Sequence, residues 1–294
     1  MQHAASDERS IAGSESLSAA QRHVLRLRLL SARLTLLQRT EKIASHHASI
    51  GEEAVIVGAV LGAREQDWIF PGVREWGVGL VRGVPIAEYM HHAFGTRVAR
   101  SKGHAPPDYV AVRKARIAPA SGIPGAHLPQ AVGAAWAAKI KKDDVATIAL
   151  FGGDVTSTGD FHNAMNFAGV FKAPCVFVCR GDIDVAAKGV AYGVATAKVD
   201  GMDVAAVQKI VRAAVERAAS GKGPTLIAAP TRPVTALDDA ALASDGVLEG
   251  LPRDDGFTRE VLLDIAAAVD AAEEAGPPDP STLFQDVYAK EISQ

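Results

Sequence analysis

The spacing of apolar residues predicts two helices near the start of the chain. Leucines recur every three or four positions over residues 19–42, which is a helical period, and Ser18 precedes them as an N-cap. They fall on more than one face of the helix, so we expect it to be buried beneath a second layer or a partner. A second apolar segment, residues 51–64, begins with Glu52 and Glu53, which the positive end of a helix dipole favours.

In the second half of the chain, apolar strands and amphipathic segments alternate. Helices are predicted at 129–142, 159–171 and 203–219, and strands at 145–151, 174–180 and 224–229. This order predicts an α/β fold with a parallel sheet flanked by helices and joined by right-handed crossovers. Ligands of such sheets gather at the carboxyl ends of the strands, so the segments after Phe151 and Arg180 are the first candidates for a site. Residues 95–120 are predicted to be irregular, and no element is assigned to 240–256.

Composition narrows the classes of function. The chain has 294 residues, with 31 Lys and Arg against 34 Asp and Glu, and this near balance argues against a nucleic-acid-binding surface. No apolar run reaches about 18 residues, and the N-terminus has no apolar leader core, so we expect a cytoplasmic protein without a membrane span. Residues 1–17 are mostly polar and are predicted to form a disordered tail. Residues 18–294 are predicted to form a single domain with a C-terminal helix and tail.

The cysteines and histidines do not show the spacing of a metal site. Cys175 and Cys179 lie four residues apart in a predicted strand, so they should share one face as buried thiols. His46 and His47 are adjacent, and we expect their side chains to point in different directions and to have a surface or interface role. No Ser–His–Asp order of a nucleophilic triad is visible.

Several segments of the chain resemble the α subunit of the E1 component of thiamine-diphosphate-dependent 2-oxo acid dehydrogenases. They read SIGEEAVIVG, DWIFPGVREWGVGLVRG, LPQAVGAAWAAK and TSTGDFHNAMNFAGVFKAPCVFVC. The resemblance extends over most of residues 40–230 and implies the thiamine-diphosphate-binding α/β fold of that family. It also implies that thiamine diphosphate and Mg²⁺ would lie between this chain and an E1-β-like subunit in an α2β2 assembly.

The metal motif of that family is altered in this chain. The family pattern is Gly-Asp-Gly followed by a distant Asn-Asn, in which the Asp and the second Asn are Mg²⁺ ligands. Here Gly152, Gly153 and Asp154 occupy the first three positions, and Asp182 stands at the second Asn. A glycine at the metal position offers no side-chain ligand. Asp182 and Asp154 would bind a metal only if the site were remodelled.

Other positions that the family uses for its cofactor are also changed. Arg74 remains as a phosphate-binding residue, whereas its neighbours differ from the family pattern. Tyr109 takes the place of a histidine that faces the active site. Ile123 and Pro124 lie in the turn whose backbone meets the aminopyrimidine, and proline has no N–H to donate. We therefore regard Arg74, Tyr109, Ile123, and Gly152 to Asp154 as vestigial cofactor positions.

Two functions follow from the resemblance. Because most cofactor positions are altered, we expect a non-catalytic structural or regulatory homologue that does not bind thiamine diphosphate, and we assign no catalytic residue. It would pair with an E1-β-like subunit or with itself. The alternative is a functional E1 α subunit that decarboxylates a 2-oxo acid oxidatively, together with a β subunit and a lipoyl acceptor. A third possibility is that a small anion binds through Arg74, Arg180 and the helix that begins at residue 159.

Overall fold

A computed structural model describes residues 17–181, 185–232, 234 and 237–285. The helices are α1 (Ala19–Arg39), α2 (Glu53–Gly62), α3 (Val78–Val81), α4 (Ile86–Phe94), α5 (His127–Lys141), α6 (Gly159–Phe171), α7 (Ala186–Ala191), α8 (Val204–Arg217), α9 (Asp239–Leu242) and α10 (Asp255–Ala275). The strands are β1 (Trp68–Phe70), β2 (Thr147–Gly152), β3 (Cys175–Arg180), β4 (Ala195–Lys198) and β5 (Thr225–Ala229). Residues 1–16 of the predicted tail lie outside the described residues, and Leu17 is buried.

The five strands form one sheet in the order β1-β2-β3-β5-β4, and all neighbouring strands are parallel. This confirms the predicted α/β fold with a parallel sheet flanked by helices. Gly152 pairs with Arg180 at the end of the β2–β3 ladder. The carboxyl ends of these two strands are therefore side by side.

Hydrophobic cores lie on both faces of the sheet. Alternate residues of β2 point to opposite sides, so that Ile148 and Leu150 belong to one core and Ala149 and Phe151 to the other. The first core contains the apolar faces of α1, α2, α8 and α10, and the second contains those of α5 and α6. Both cysteines lie in the second core and are buried, as the sequence predicts.

The leucine-rich helix α1 is buried beneath a second layer, which confirms that prediction. Its N-cap Ser18 accepts a hydrogen bond from the Gln21 amide, and the Gln21 side chain accepts one from the Ser18 amide. These two bonds form a capping box. Helix α1 packs against α2 and α10, so its leucines are covered from more than one direction.

Helix α2 packs unusually closely against α8. A Cβ atom on Gly58 or on Gly62 would lie 2.7 Å from the Cβ of Val207 or Val211. Only glycine permits this approach of the two helices. Glu52 and Glu53 at this helix start are both buried.

Strands β1 and β4 and helices α3, α4, α7 and α9 were not predicted, and α10 was not predicted at its observed extent. Strands β1 and β4 have three and four residues, too few to show an alternating period. Helix α10 has 21 residues, and the sequence indicates it only as a C-terminal helix. Within the described ranges, no helix combines the length and the apolar character needed to cross a membrane.

Candidate functional site at the carboxyl ends of β2 and β3

The segment after β2 is a tight turn that leads directly into α6. Gly152 ends the strand, a 3₁₀ turn covers Gly153–Ser157, and α6 begins at Gly159. Thr158 caps the helix by accepting a hydrogen bond of 3.2 Å from the Phe161 amide. Asp154 is exposed to solvent on this turn.

The carboxylate of Asp154 lies next to Gly152, on the side where Arg180 also lies. A Cβ atom on Gly152 would be 2.5 Å from Asp154 Oδ1 and 3.6 Å from both terminal nitrogens of Arg180. Any side chain at Gly152 would therefore displace the Asp154 carboxylate. The glycine thus leaves room for the Asp154 carboxylate at the strand end.

Arg180 is the centre of a buried network of charges. Its Nε donates to Glu75 Oε1, and its Nη1 donates to Glu52 Oε1 at 2.7 Å. Arg74 Nη2 lies 3.0 Å from the other oxygen of Glu52. The two carboxylates are 1% exposed and the Arg180 side chain 11%. Two negative and two positive groups thus neutralise each other where the strands end.

The pKa values in this network follow from the competition between burial and pairing. Burial alone would raise the pKa of the Glu75 carboxyl, but the charge and the hydrogen bond of Arg180 outweigh it and lower that pKa. Burial alone would lower the pKa of Arg180, and the charges of Glu75 and Glu52 outweigh it and raise that pKa. Glu75 and Arg180 are therefore both ionised near neutral pH.

Lys188 brings another cation to the turn after β2. Its Nζ donates to Thr156 Oγ1 at 2.7 Å and lies 3.2 Å from the Thr156 carbonyl oxygen. The same hydroxyl donates to the Gly153 carbonyl oxygen at 2.7 Å. The ammonium is also 5.9 Å from the centre of the Phe161 ring. The lysine thus joins α7, which follows β3, to the turn that follows β2.

The described residues do not form a metal-binding cluster at this turn. Gly153 has no side chain to offer, and Asp154 is the carboxylate of the turn. Asp182, the other predicted ligand, lies outside the described residues. Within the ranges that the structure describes, no group of three or more His, Cys, Asp and Glu side chains is arranged to hold a metal ion.

Tyr109 and Ile123 lie next to this region rather than at its centre. The Tyr109 hydroxyl contacts Gly122, where a methyl group would collide with it. The turn continues to Gly125, which has a φ of 84° and is close to Thr158, so that a Cβ there would be 2.8 Å from Thr158 Oγ1. The Ile123 side chain is 67% exposed. The structure thus places this turn against the start of α6.

Tyr109 also lines a cavity of about 310 Å³. Tyr89, His92, Val112 and Pro119 contribute to its walls. None of the residues that line it belongs to β2, β3 or the turn between β2 and α6. The cavity is therefore separate from the strand-end site.

Two polar atoms near the strand ends have no hydrogen-bond partner among the described residues. They are Glu75 Oε2 and His127 Nδ1, and both are buried. His127 donates through Nε2 to the Leu150 carbonyl oxygen at 2.9 Å, and burial lowers the pKa of its imidazole. Buried polar atoms usually have a partner, so these two atoms could accommodate a small polar ligand or water.

The adjacent histidines converge on one carboxylate, and the prediction that they point in different directions is wrong. His46 Nδ1 and His47 Nδ1 each lie 2.8 Å from an oxygen of Asp108, and the His47 amide donates to the same side chain at 2.6 Å. The Trp76 indole donates to the His47 carbonyl oxygen. Asp108 is distant in sequence, and no local signal indicates that it faces both rings.

These contacts also create a Ser–His–Asp arrangement that the sequence order did not reveal. Ser31 Oγ lies 3.3 Å from His46 Nε2, and Asp108 binds the other nitrogen of that ring. Ser31 and the His46 side chain are fully buried. A substrate could not reach this hydroxyl, so the cluster joins α1 to two loops and is not a nucleophilic site.

The outer face of α5 and α6 exposes a patch of large apolar side chains. Trp136 stacks on Phe171 with ring centres 4.3 Å apart. Beside them, Ile140, Phe167 and Val170 are each at least half exposed. A contiguous apolar patch of this kind is typical of a surface that binds another protein. We call these five residues the α5–α6 patch.

Most of the chain matches a known protein family. The family described as "Dehydrogenase E1 component" matches residues 21–182 and 183–232. The 2-oxoisovalerate dehydrogenase subunit alpha 2 of Arabidopsis thaliana is 35% identical over 230 residues, which are 72% of this chain and 49% of that protein. The 3-methyl-2-oxobutanoate dehydrogenase subunit alpha of Mycobacterium tuberculosis is 37% identical over 229 residues, 72% of this chain and 60% of that protein. The chain thus spans about half the length of such relatives.

Solved structures show the same fold at low sequence identity. A transketolase from Campylobacter jejuni superposes with a TM-score of 0.59 and 15% identity, over 89% of this chain and 48% of that one. A Leishmania mexicana transketolase gives a TM-score of 0.54 and 16% identity, over 88% of this chain and 47% of that one. At these identities the likeness concerns the architecture alone.

Proposed function

Because this chain belongs to the dehydrogenase E1 component family, we propose that it is an E1-α-like subunit that works through its partner surface and not through cofactor chemistry. The observation that carries the proposal is Gly153, which stands at the metal-ligand position of the family and offers no side chain. On the same turn, the structure has the ammonium of Lys188 within hydrogen-bond distance of Thr156.

The residues of the turn do not fit a Mg²⁺ ion and the diphosphate that it would accompany. Mg²⁺ requires near-octahedral oxygen ligation at about 2.1 Å. The described part of the turn supplies one carboxylate, Asp154, and that group is exposed. We therefore derive no catalytic step through thiamine diphosphate.

The charges of the strand ends support the same proposal. A diphosphate group is stabilised by cations that are free to meet it. Arg180 is paired with Glu52 and Glu75, and Arg74 is paired with Glu52. To reach a phosphate, Arg180 would have to leave the buried carboxylate of Glu75 without its counter-charge, which is costly.

The α5–α6 patch supports a role in assembly. Its apolar side chains are exposed on the chain by itself, and burying them against another subunit would release water from them. We propose that an E1-β-like subunit covers this patch in an α2β2 assembly. Self-association through the same patch is the alternative outcome. The cytoplasmic location stays a prediction from the sequence.

A second candidate function is that of an active E1 α subunit, which would decarboxylate a 2-oxo acid oxidatively together with a β subunit and a lipoyl acceptor. The observation in its favour is the pair of buried atoms without a described partner, Glu75 Oε2 and His127 Nδ1. A ligand at the strand ends could satisfy them.

Titration calorimetry separates the two functions. Thiamine diphosphate with Mg²⁺ is titrated into the chain co-purified with its β-like partner. We expect no binding heat from a folded complex. A dissociation constant in the micromolar range or below that a chelator abolishes would refute the proposal and support the enzyme.

A further inference from the structure

The contact between Lys188 and the turn after β2 is the feature that the resemblance does not explain. In the family pattern, the two metal ligands come from the turn after β2 and from the segment after β3. Lys188 contacts the first of these segments and belongs to the second, six residues after Asp182. A cation of the chain itself thus connects α7, which follows β3, to the turn after β2.

We propose that the Lys188 ammonium replaces the metal ion as the link between the turn after β2 and the segment after β3. This inference rests on the proposed function, because a bound metal ion at the same turn would repel the ammonium. Its subject is the folding of the site, and it can therefore be tested without cofactor.

The acceptors around the ammonium suit a lysine. A protonated lysine has three donors and no acceptor. Lys188 Nζ uses the hydroxyl and the carbonyl oxygen of Thr156, and that hydroxyl passes its own hydrogen to the Gly153 carbonyl oxygen. The Phe161 ring, 5.9 Å away, adds a favourable cation–π contact. The chain of bonds ends at Gly153, the residue that lacks the metal-binding side chain.

The position of the lysine is fixed by the close packing of α7. A Cβ atom on Gly189 would lie 2.6 Å from Thr196 Cγ2 and 3.2 Å from Leu226 Cδ2. The helix therefore lies directly on β4 and β5, and it holds Lys188 within reach of the turn. Thr156 is buried on the other side of the contact. Neither partner can move far without loss of packing.

The test measures unfolding by urea for the whole chain without ligand. A hydrogen bond to a charged group that is half-buried predicts an increase of about tenfold in the unfolding equilibrium constant for Lys188→Met. Thr156→Val should have an effect of similar size, and the double variant should be less unstable than the sum of the two single variants predicts. Lys209→Met is the matched control, since this lysine is exposed on α8, and it should change the constant less than twofold.

A second measurement uses hydrogen exchange, and its comparison with and without chelator does not depend on any variant being folded. Hydrogen exchange at the amides of residues 153–157 in the wild-type chain should be unchanged by a chelator of divalent metals, and in Lys188→Met it should be faster. Equal unfolding constants for Lys188→Met and Lys209→Met would overturn the inference. So would a wild-type turn that exchanges faster after chelation, because a metal ion would then be the link. Calorimetry with thiamine diphosphate tests the proposed function separately, so the two can fail independently.

Discussion

Replacing Arg180 by methionine would leave the buried Glu75 without its counter-charge. Glu52 would keep Arg74, whereas Glu75 is fully buried and receives its hydrogen bonds from Arg180. Removing one partner of a buried pair typically costs about 3–5 kcal/mol. We therefore expect Arg180→Met to lower the free energy of unfolding by about this amount at neutral pH.

A second substitution tests the cause of that loss. In the double variant Arg180→Met with Glu75→Gln, the orphan charge is absent, so the loss should fall to about 1–3 kcal/mol, the cost of the missing hydrogen bonds. The double variant is then more stable than Arg180→Met alone. Arg100→Met is the control, because this arginine forms an exposed pair with Glu88. This substitution should lower the free energy of unfolding by less than about 1 kcal/mol.

The pH dependence should change sign between the wild type and Arg180→Met. In the wild type the pKa of Glu75 is lowered, so its contribution to stability is present above the ordinary pKa of a glutamate and is lost as the pH falls through the folded pKa. Without Arg180, burial would raise this pKa. Lowering the pH from about 7 to about 5 would then reduce the difference in free energy of unfolding between the wild type and Arg180→Met, because Glu75 takes up a proton.

Urea unfolding at these two pH values, followed by circular dichroism, measures all of these quantities. The reasoning would be refuted if Arg180→Met were no less stable than Arg100→Met. It would also be refuted if the double variant were less stable than Arg180→Met, since Glu75 would then not be the source of the loss.

Three further predictions concern other parts of the chain. Phe167→Glu on the α5–α6 patch should abolish co-purification with an E1-β-like subunit while circular dichroism stays unchanged. Leu263→Glu on α10 is the control, because this side chain is also exposed, and it should not affect co-purification; equal binding by both variants would exclude the patch. The hydrogen bond to the buried carboxylate of Asp108 raises the pKa of His47. The contribution of this pair to stability is therefore present below the ordinary pKa of histidine and is lost as the pH rises through the folded pKa. His47→Gln should therefore flatten the stability profile between about pH 6 and 8, by less than about 1 kcal/mol because half of the side chain is exposed; an unchanged profile would contradict this. Burial raises the pKa of both β3 thiols to about 12, so iodoacetamide at about pH 8 should label them only after unfolding. Alkylation of either cysteine in the folded chain, detected by mass spectrometry, would contradict this prediction.

Local sequence determined the elements with a long or regular apolar period. Helix α6 begins at Gly159 and ends at Phe171, as predicted, because Thr158 caps it and its apolar residues keep one face. The buried strands β2 and β3 were also predicted within two residues. From their alternation with helices, the parallel sheet and the location of the strand-end turn follow. The absence of a carboxylate at Gly153 is likewise visible in the sequence.

Tertiary structure decided which charged side chains meet. Arg180 is 105 residues from Glu75 and 128 from Glu52, and His46 is 62 from Asp108. Arg74 has the residue type of a phosphate ligand, yet the fold pairs it with Glu52. Such pairs depend on the approach of distant segments, and their energy comes from burial, which no local pattern reports. The sequence thus specifies the sheet and the glycine at position 153, while the packed fold alone specifies the ion pairs and the lysine contact at the edge of the sheet.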